Sequence, residues 1–98
     1  MAKGAGGFTA YLDLDKTGTQ LTVRPYRAGD RFQPLGMGLS KKLGEFMIDA
    51  KIPAAWRGQV PLVCSPEQIL WVVGWRIDER AKVSDATKRI LRLKFNRC

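Results

Sequence analysis

The sequence has no histidine, and its 98 residues include only two cysteines. Histidine is the commonest general base in enzymes and a frequent metal ligand, so its absence removes both roles from the chain. Cys64 lies in an apolar run and Cys98 is the last residue. Two such thiols predict a buried free cysteine in a reducing compartment rather than a disulfide framework. We therefore assign no catalytic residue and no metal-binding residue to this sequence.

Long hydrophobic runs are also missing. The unbroken apolar run at residues 69–73 falls far short of the roughly 20 residues that a membrane-spanning helix needs. The amino end lacks the pattern of a signal peptide. These absences predict a cytoplasmic protein that is not inserted in a membrane.

Acidic residues are scarce, since nine Asp and Glu stand against seventeen Lys and Arg, which gives a formal net charge of +8. This excess favours a polyanionic partner, with nucleic acid ahead of an anionic membrane surface. The hydrophobic share of 45% and the charged share of 27% are typical of a folded chain. Glycine-rich residues 1–7 predict a flexible leader or an artificial start, and residues 8–98 predict a single domain.

The apolar pattern predicts a small, sheet-rich α+β domain with five or six mainly antiparallel strands and one amphipathic helix. Apolar residues alternate in residues 8–15 and again in residues 20–24, on either side of the turn sequence KTGT. This arrangement predicts a hairpin. Residues 60–64 predict another strand, and the apolar residues 69–73 predict a central strand that is covered on both faces.

The helix is predicted at about Ser40–Ala50. Ser40 is a suitable N-cap, and an apolar stripe at helical spacing follows it, formed by Leu43, Phe46, Met47 and Ala50. Pro53 is expected to stop the helix. Gly44 lies inside it and costs about 1 kcal/mol relative to alanine, so packing of the stripe has to compensate.

The later part of the chain supplies core candidates and a basic strand. Trp71, Ile77 and Val83 are predicted core residues. Trp56 is expected either to cover the core as a lid, which is the preferred interpretation, or to be an exposed platform for stacking. Residues 88–95 predict a closing strand whose inner face carries Leu91, Leu93 and Phe95. Its outer face is basic and carries Lys88, Ile90, Arg92 and Lys94.

The loop RPYRAGDRF concentrates positive charge. Its proline and glycine disfavour a helix, so the segment predicts the end of a strand and a turn at AGD. The loop contains Arg24, Arg27 and Arg31. One interpretation is that Asp30 pairs with one arginine and pins the turn. The other is that the guanidinium groups bind phosphate oxygens while Tyr26 offers a ring for stacking.

The segment GMGLSKK is a second candidate for binding anions. Its two glycines let the backbone approach a phosphate, and Lys41 and Lys42 stand at the predicted helix start. The spacing matches neither the nucleotide-binding P-loop nor the dinucleotide-binding fingerprint. The alternative is a glycine turn, a serine cap and two solvated lysines.

Five segments of the sequence, in this order, resemble one family. They are RPYRAGDRFQPLGM, SKKL, DAKIP, WRGQVPLV and VVGWRIDERAKV. They are similar to motifs of the carboxy-terminal domain of bacterial tRNA(Ile)-lysidine synthetases, and the similarity extends over about Phe8–Phe95. The resemblance implies a small sheet-rich fold akin to a domain of a phenylalanyl-tRNA synthetase subunit.

The resemblance also implies a division of labour. The family joins lysine to the wobble cytidine of tRNA(Ile), using ATP and magnesium, through an adenylated tRNA intermediate. That chemistry belongs to an amino-terminal domain with an S-G-G-x-D-S loop, which this sequence does not contain. By resemblance, the chain is a non-catalytic module that needs no cofactor and positions tRNA(Ile) for the catalytic domain of the same polypeptide.

Seven basic residues in the matching motifs become predicted contacts with tRNA phosphates and riboses: Arg24, Arg27, Arg31, Lys41, Lys42, Lys51 and Arg57. The alternative is a protein-interaction module that docks on the catalytic domain or forms a homodimer of the parent enzyme. Such a module would use an exposed apolar patch, such as Trp56 with Leu39. RNA binding through cations depends on salt, whereas apolar docking does not.

Overall fold

The computed structural model describes residues 8–95, which form eight short strands and four helical segments. The strands are β1 (Thr9–Asp13), β2 (Thr22–Arg24), β3 (Arg31–Phe32), β4 (Lys41–Lys42), β5 (Leu62–Cys64), β6 (Ile69–Val72), β7 (Arg76–Ile77) and β8 (Ile90–Lys94). The helical segments are α1 (Leu14–Thr17), α2 (Leu43–Asp49), α3 (Ala54–Arg57) and a 3₁₀ turn (Glu79–Ala81). The predicted α+β class is confirmed, with shorter and more numerous strands than expected. The leader predicted at residues 1–7 and the terminal Cys98 lie outside the described residues.

Antiparallel pairing organises the strands into one four-stranded sheet and two strand pairs. The order in the larger sheet is β2-β5-β6-β7, so β5 and β6 occupy its middle. All four residues of β6 are buried, because an unbroken apolar strand needs cover on both faces. The predicted central strand is therefore confirmed. The smaller pairs join β1 to β8 and β3 to β4.

The predicted hairpin between residues 8–15 and 20–24 is wrong. β1 pairs with β8, near the other end of the described chain, while β2 pairs with β5. After β1 the chain enters α1, whose first turn is capped by the Asp13 carboxylate, an acceptor 2.9 Å from the Asp15 amide. Alternation along a strand determines its buried face but not its partner, so the local pattern could not exclude the nearer strand.

The four-stranded sheet is covered on its two faces by different elements. On β5, Leu62 and Cys64 face one cluster with the apolar stripe of α2, whereas Val63 faces a second cluster with residues of β1 and β8. This alternation follows from the two-residue period of a strand. Trp71 of β6 belongs to the second cluster and is buried, as predicted.

The stripe of α2 forms the centre of the first cluster. Leu43, Phe46 and Met47 are buried, and the Phe46 ring meets the Phe32 ring edge to face with centroids 5.0 Å apart. Each such side chain contributes about 1.5–3 kcal/mol on burial. A seven-residue helix with a glycine in its first turn is marginal alone, so this packing holds it in place.

The start of α2 differs from the prediction. The helix begins at Leu43 rather than near Ser40, and no side chain caps it. Lys41 and Lys42 instead form β4 and pair with β3. Ser40 is not the N-cap; its hydroxyl accepts a hydrogen bond from Arg31, a partner nine residues back in the chain. Local sequence cannot show such a contact.

The end of α2 is a Schellman motif. The Lys51 amide donates to the Ile48 carbonyl at 2.9 Å, and the Ile52 amide donates to the Met47 carbonyl at 3.0 Å. Lys51 takes the left-handed conformation that the motif requires, with φ at 61°. The helix therefore ends before Pro53 acts on it, and Pro53 instead precedes α3.

Two further core predictions are wrong. Val83 is 37% exposed, and Ala81 of the 3₁₀ turn is fully buried in its place. Trp56 is not a lid, since 60% of it is exposed. It follows Pro53 on the single turn α3, none of whose residues is buried. Ile77 is half-buried and packs against the second cluster, as predicted.

Candidate nucleic-acid interface

Arg24 and Asp30 close the arginine loop with a two-pronged ion pair. Arg24 Nη1 lies 2.9 Å from Asp30 Oδ2, and Arg24 Nη2 lies 3.0 Å from Asp30 Oδ1. Asp30 Oδ2 also accepts the Arg27 backbone N–H at 2.8 Å, while Gly29 makes the turn with φ at 94°. The side chains of Arg24 and Asp30 are only 22% and 13% exposed. The interpretation that Asp30 pins the turn is confirmed, with Arg24 as the partner.

This ion pair shifts the pKa values of both partners. Burial acts to raise the pKa of Asp30, but hydrogen bonds from Arg24 and from the Arg27 amide outweigh it and hold the pKa below its usual value. The hydrogen bond to Asp30 raises the pKa of Arg24. Both groups are charged at neutral pH, so the ion pair that closes the loop is present at that pH.

The other two arginines of the loop remain at the surface. Arg31 donates from Nε to Ser40 Oγ at 3.2 Å and is otherwise exposed. Arg27 is exposed, and its guanidinium makes no hydrogen bond or ion pair within residues 8–95. Arg27 is therefore available to an anion, and Arg31 is available in part.

The three predicted lysines have different surroundings. Lys41 forms an ion pair with Asp49 of α2. Lys42 is exposed next to the start of α2 and has no ion-pair partner in the described part of the chain. Lys51 is exposed at the end of α2, where its backbone completes the Schellman motif. Only Lys42 combines a free ammonium group with a concave setting.

A groove of about 350 Å³ lies between the arginine loop, the first turns of α2 and the end of α3. It is lined by Tyr26, Gly29, Asp30, Lys42, Gly44, Glu45, Ile48 and Arg57. Arg57 Nε donates to the Ile52 carbonyl at 3.0 Å, which leaves both terminal nitrogens without a partner among residues 8–95. The structure thus brings Lys42 and Arg57 together, fifteen positions apart in the sequence.

The groove also contains carboxylates that sequence reasoning did not place there. Asp30 is neutralised by Arg24, whereas Glu45 is exposed and has no ion-pair partner in the described part of the chain. The groups of the groove without an ion pair, Lys42, Arg57 and Glu45, therefore have a net charge of +1. An acidic residue in the first turn of a helix is common because it interacts favourably with the helix dipole. The position of Glu45 in the sequence therefore did not indicate that it lies in a groove.

Gly44 allows the Tyr26 ring to lie against α2. A Cβ atom at position 44 would stand 3.0 Å from the Tyr26 hydroxyl oxygen and 3.8 Å from its Cζ atom. Tyr26 is half-buried and packs on the first hydrophobic cluster, so its ring is a wall of the groove. This close contact explains why position 44 has a glycine in spite of its low helix propensity.

The segment Gly36–Lys42 does not form a phosphate cradle. The Gly36 amide donates to Glu79 Oε1 at 2.9 Å instead of pointing at solvent. The first helical residue is Leu43, and its amide donates to the Asp30 carbonyl at 2.8 Å. The amides of Gly36, Met37 and Leu43 are therefore engaged within the protein, and the two lysines belong to a strand pair.

The described residues contain no sign of a buried ligand site. Every buried side-chain nitrogen or oxygen atom in residues 8–95 has a hydrogen-bond partner. In the same residues no group of three or more Cys, Asp or Glu side chains is placed to hold a metal ion. No helix there is long and apolar enough to cross a membrane.

Comparison with known proteins identifies the family. Residues 21–94 match the family model described as "TilS substrate C-terminal domain". The chain belongs to this family. The resemblance inferred from its motifs is confirmed.

Relatives of this TilS C-terminal domain are much longer proteins. The tRNA(Ile)-lysidine synthase of Dehalococcoides mccartyi is 59% identical over 86 residues, which cover 88% of this chain and 18% of that protein. The tRNA(Ile)-lysidine synthase of Clostridium acetobutylicum is 41% identical over 87 residues, which cover 89% of this chain and 19% of that protein. The chain thus spans about a fifth of the length of the curated relatives it matches.

Solved structures agree with the fold of this TilS C-terminal domain. A crystal structure of a TILS C-terminal domain superposes with a TM-score of 0.72 at 29% identity, covering 93% of this chain and 73% of that chain. A fragment of the phenylalanyl-tRNA synthetase β-subunit from Pyrococcus horikoshii superposes with a TM-score of 0.67 at 19% identity, covering 86% of this chain and 26% of that chain. The second likeness concerns the fold alone.

Proposed function

We propose that this domain binds tRNA through the groove and the adjacent arginine loop, and that it positions the RNA for a catalytic domain of the same polypeptide. One observation carries the proposal: Lys42 and Arg57 line one groove and have unpaired nitrogen atoms, and Arg27, whose guanidinium is free, belongs to the loop that forms a wall of that groove. Phosphate recognition needs such cations at an accessible surface and requires no contact with bases.

The seven predicted residues have different roles in this proposal. Arg27, Lys42 and Arg57 bind phosphates directly, since their nitrogen atoms are free. Arg31 and Lys51, which are both exposed, add phosphate contacts outside the groove in this proposal. Arg24 and Lys41 act through neighbours, because each is paired with an aspartate.

The parent protein is proposed to be a tRNA(Ile)-lysidine synthase, as its relatives are named. In that protein the ligation of lysine to the wobble cytidine, with its ATP and magnesium, takes place in a catalytic domain that contains the S-G-G-x-D-S loop. The 98-residue chain contains no such loop, and in this proposal it supplies no catalytic residue. We assign the protein to the cytoplasm, where its tRNA substrate is found.

Titration of labelled tRNA transcripts with the domain tests the groove. Arg27→Ala and Lys42→Ala are each expected to weaken binding about equally for tRNA(Ile) and for an unrelated tRNA. Each loss of a phosphate contact lowers the slope of log affinity against log salt by about 0.9.

Arg89→Ala is the matched control. It removes the same formal charge from an exposed site whose guanidinium is already paired with Asp15. It is expected to change tRNA affinity little. Absence of tRNA binding at low salt would contradict the proposal, and so would an equal loss of affinity in Arg89→Ala.

A further variant is expected to strengthen tRNA binding instead of weakening it. Glu45→Gln removes the uncompensated carboxylate from the groove and is expected to strengthen tRNA binding by about twofold to fivefold at low salt, the range of a single surface charge interaction. Added salt shrinks the gain. Unchanged affinity in Glu45→Gln would show that the RNA does not enter the groove.

A protein-interaction module is the second candidate function. Trp56 is 60% exposed and Leu39 is 80% exposed, as docking through an apolar patch requires. In this case Trp56→Ala weakens association with the catalytic domain or with a second copy, and added salt has little effect. Salt-sensitive tRNA binding that Trp56→Ala leaves unchanged favours the groove instead.

A further inference from the structure

The strand pair β1–β8 has an exposed outer face that the groove does not include. The strand register places Thr9 opposite Lys94 and Tyr11 opposite Arg92. Their neighbours Ala10 and Leu93 belong to the second hydrophobic cluster, so the intervening residues point away from it. We define the outer face as Thr9, Tyr11, Ile90, Arg92 and Lys94.

Large apolar side chains are exposed on the outer face. Tyr11 is 54% exposed and Ile90 is 58% exposed, although each lies in a regular strand. Directly opposed residues of antiparallel strands have Cβ atoms about 4.5–5.5 Å apart, so Tyr11 and Arg92 are neighbours. Within residues 8–95 the Arg92 guanidinium is not stacked on the Tyr11 ring. The ring and the guanidinium are therefore both open to a ligand.

The positive charge of this face has no internal counterpart. Arg92, Lys94 and the nearby Lys88 are exposed and have no ion pair within the described residues. The adjacent carboxylates are already engaged. Asp13 is buried and accepts the Thr87 hydroxyl at 2.9 Å, and Asp15 pairs with Arg89. Arg92 and Lys94 thus lie on the same face as one exposed aromatic ring.

We propose that the outer face binds an unpaired stretch of RNA, with one base stacked on Tyr11 and the adjoining phosphates on Arg92 and Lys94. Charge complementarity favours a polyanion, and the exposed ring selects one with accessible base faces, which paired RNA does not offer. An acidic protein segment would satisfy the cations but would gain nothing specific from the ring. The proposal shares its RNA partner with the proposed function but uses other residues, so the two can fail separately.

Two labelled probes test the proposal: a short oligouridine and a blunt RNA duplex with the same number of phosphates. Tyr11→Ala is expected to weaken oligouridine binding at least about fivefold, the lower end of the effect of losing one base stack, and to leave duplex binding unchanged. Tyr11→Phe keeps the ring and is expected to retain the affinity. Arg92→Ala lowers the salt slope for oligouridine by about 0.7.

Trp75→Ala is the matched control, because it removes an aromatic residue that is 43% exposed on the turn between β6 and β7. It is expected to leave both affinities unchanged. The proposal is overturned if Trp75→Ala costs as much as Tyr11→Ala, if Tyr11→Ala weakens duplex and oligouridine equally, or if oligouridine does not bind. Far-ultraviolet circular dichroism of each variant establishes that losses do not come from unfolding.

Backbone amide shifts identify the occupant. Oligouridine is expected to shift the amides of β1 and β8 more than a polyglutamate peptide at equal charge does, because only a base gains from the Tyr11 ring. Equal shifts with polyglutamate would assign the face to an acidic protein and overturn the proposal. If Lys42→Ala weakens tRNA binding but leaves oligouridine binding normal, both surfaces are supported. If Tyr11→Ala weakens oligouridine binding and Lys42→Ala has no effect on tRNA binding, only the outer face is supported.

Discussion

Cys64 shows how one buried side chain reports on the sheet. It lies in β5, is 4% exposed, and burial raises the pKa of its thiol although Arg24 is nearby. Its burial limits the access of reagents, and its raised pKa reduces the fraction of thiolate, which is the reactive form. We expect Cys64 in a Cys98→Ser variant to resist a thiol reagent under native conditions and to react after denaturation, as followed by mass spectrometry. Rapid native labelling would contradict its placement in the core.

Gly44 and Tyr26 make a second prediction at the scale of single residues. Alanine is favoured over glycine in a helix by about 1 kcal/mol, but its Cβ at position 44 meets the Tyr26 hydroxyl. We therefore expect Gly44→Ala to gain no stability in the wild-type background. In a Tyr26→Phe background, which lacks the hydroxyl, the same change is expected to raise the free energy of unfolding by about 1 kcal/mol. Denaturant titrations of the four proteins measure this coupling, and equal effects of Gly44→Ala in both backgrounds would refute it.

At the scale of elements, the arginine loop depends on the charge of Asp30. Asp30→Asn removes the charge and one of the two acceptor oxygens that Arg24 uses, and it is expected to cost about 2 kcal/mol at neutral pH. Because the pKa of Asp30 is lowered in the folded state, its stabilising effect is complete above the ordinary value of 3.8 and is lost as the pH falls through the folded value. The stability difference between wild type and Asp30→Asn should therefore shrink in acid.

Urea titrations across the acid range check this prediction. Asp85→Asn, at an exposed site on a turn, serves as the control and is expected to change the free energy of unfolding little. A difference between wild type and Asp30→Asn that persists at the lowest pH would mean that the pair does not stabilise the loop through charge.

Elements with a local cause were predictable from the sequence. β6 needed only its run of apolar residues, and the buried stripe of α2 needed only its helical spacing. Strand partners were not predictable, because the register of β1 depends on Leu91 and Leu93 at the far end of the chain. The cap assigned to Ser40 failed for the same reason, since Arg31 engages its hydroxyl through a strand pair.

The candidate site was predictable in residue types and not in geometry. Motif position brought Lys42 and Arg57 into one set, but only the fold shows that they share a groove. Ion pairing sorts the remaining cations: Arg24 and Lys41 are engaged by aspartates, which no spacing in the sequence distinguishes from the free Arg27. The proximity of Tyr11 to Arg92 could not be predicted from the sequence, because the two residues lie on strands that are far apart in the chain and pair only in the fold.

At the scale of the whole molecule, the 98-residue chain is expected to form no lysidine when supplied with ATP, lysine and tRNA. It has no S-G-G-x-D-S loop, and within residues 8–95 no group of three or more Cys, Asp or Glu side chains is placed to hold a metal ion. Mass spectrometry of digested tRNA after incubation measures the product. Lysidine formed by this chain alone would refute the assignment of the chemistry to another domain.

The pairing of β1 with β8 also determines when the domain is able to fold during synthesis. Thr9 leaves the ribosome first, and its partner Lys94 follows after a delay of roughly 4–17 seconds at about 5–20 residues per second. Throughout that delay Ala10 and Leu12 lack the strand that covers them in the finished domain. The nascent chain therefore lacks the partner of β1 until β8 emerges, and we expect the domain to complete its fold only after that point.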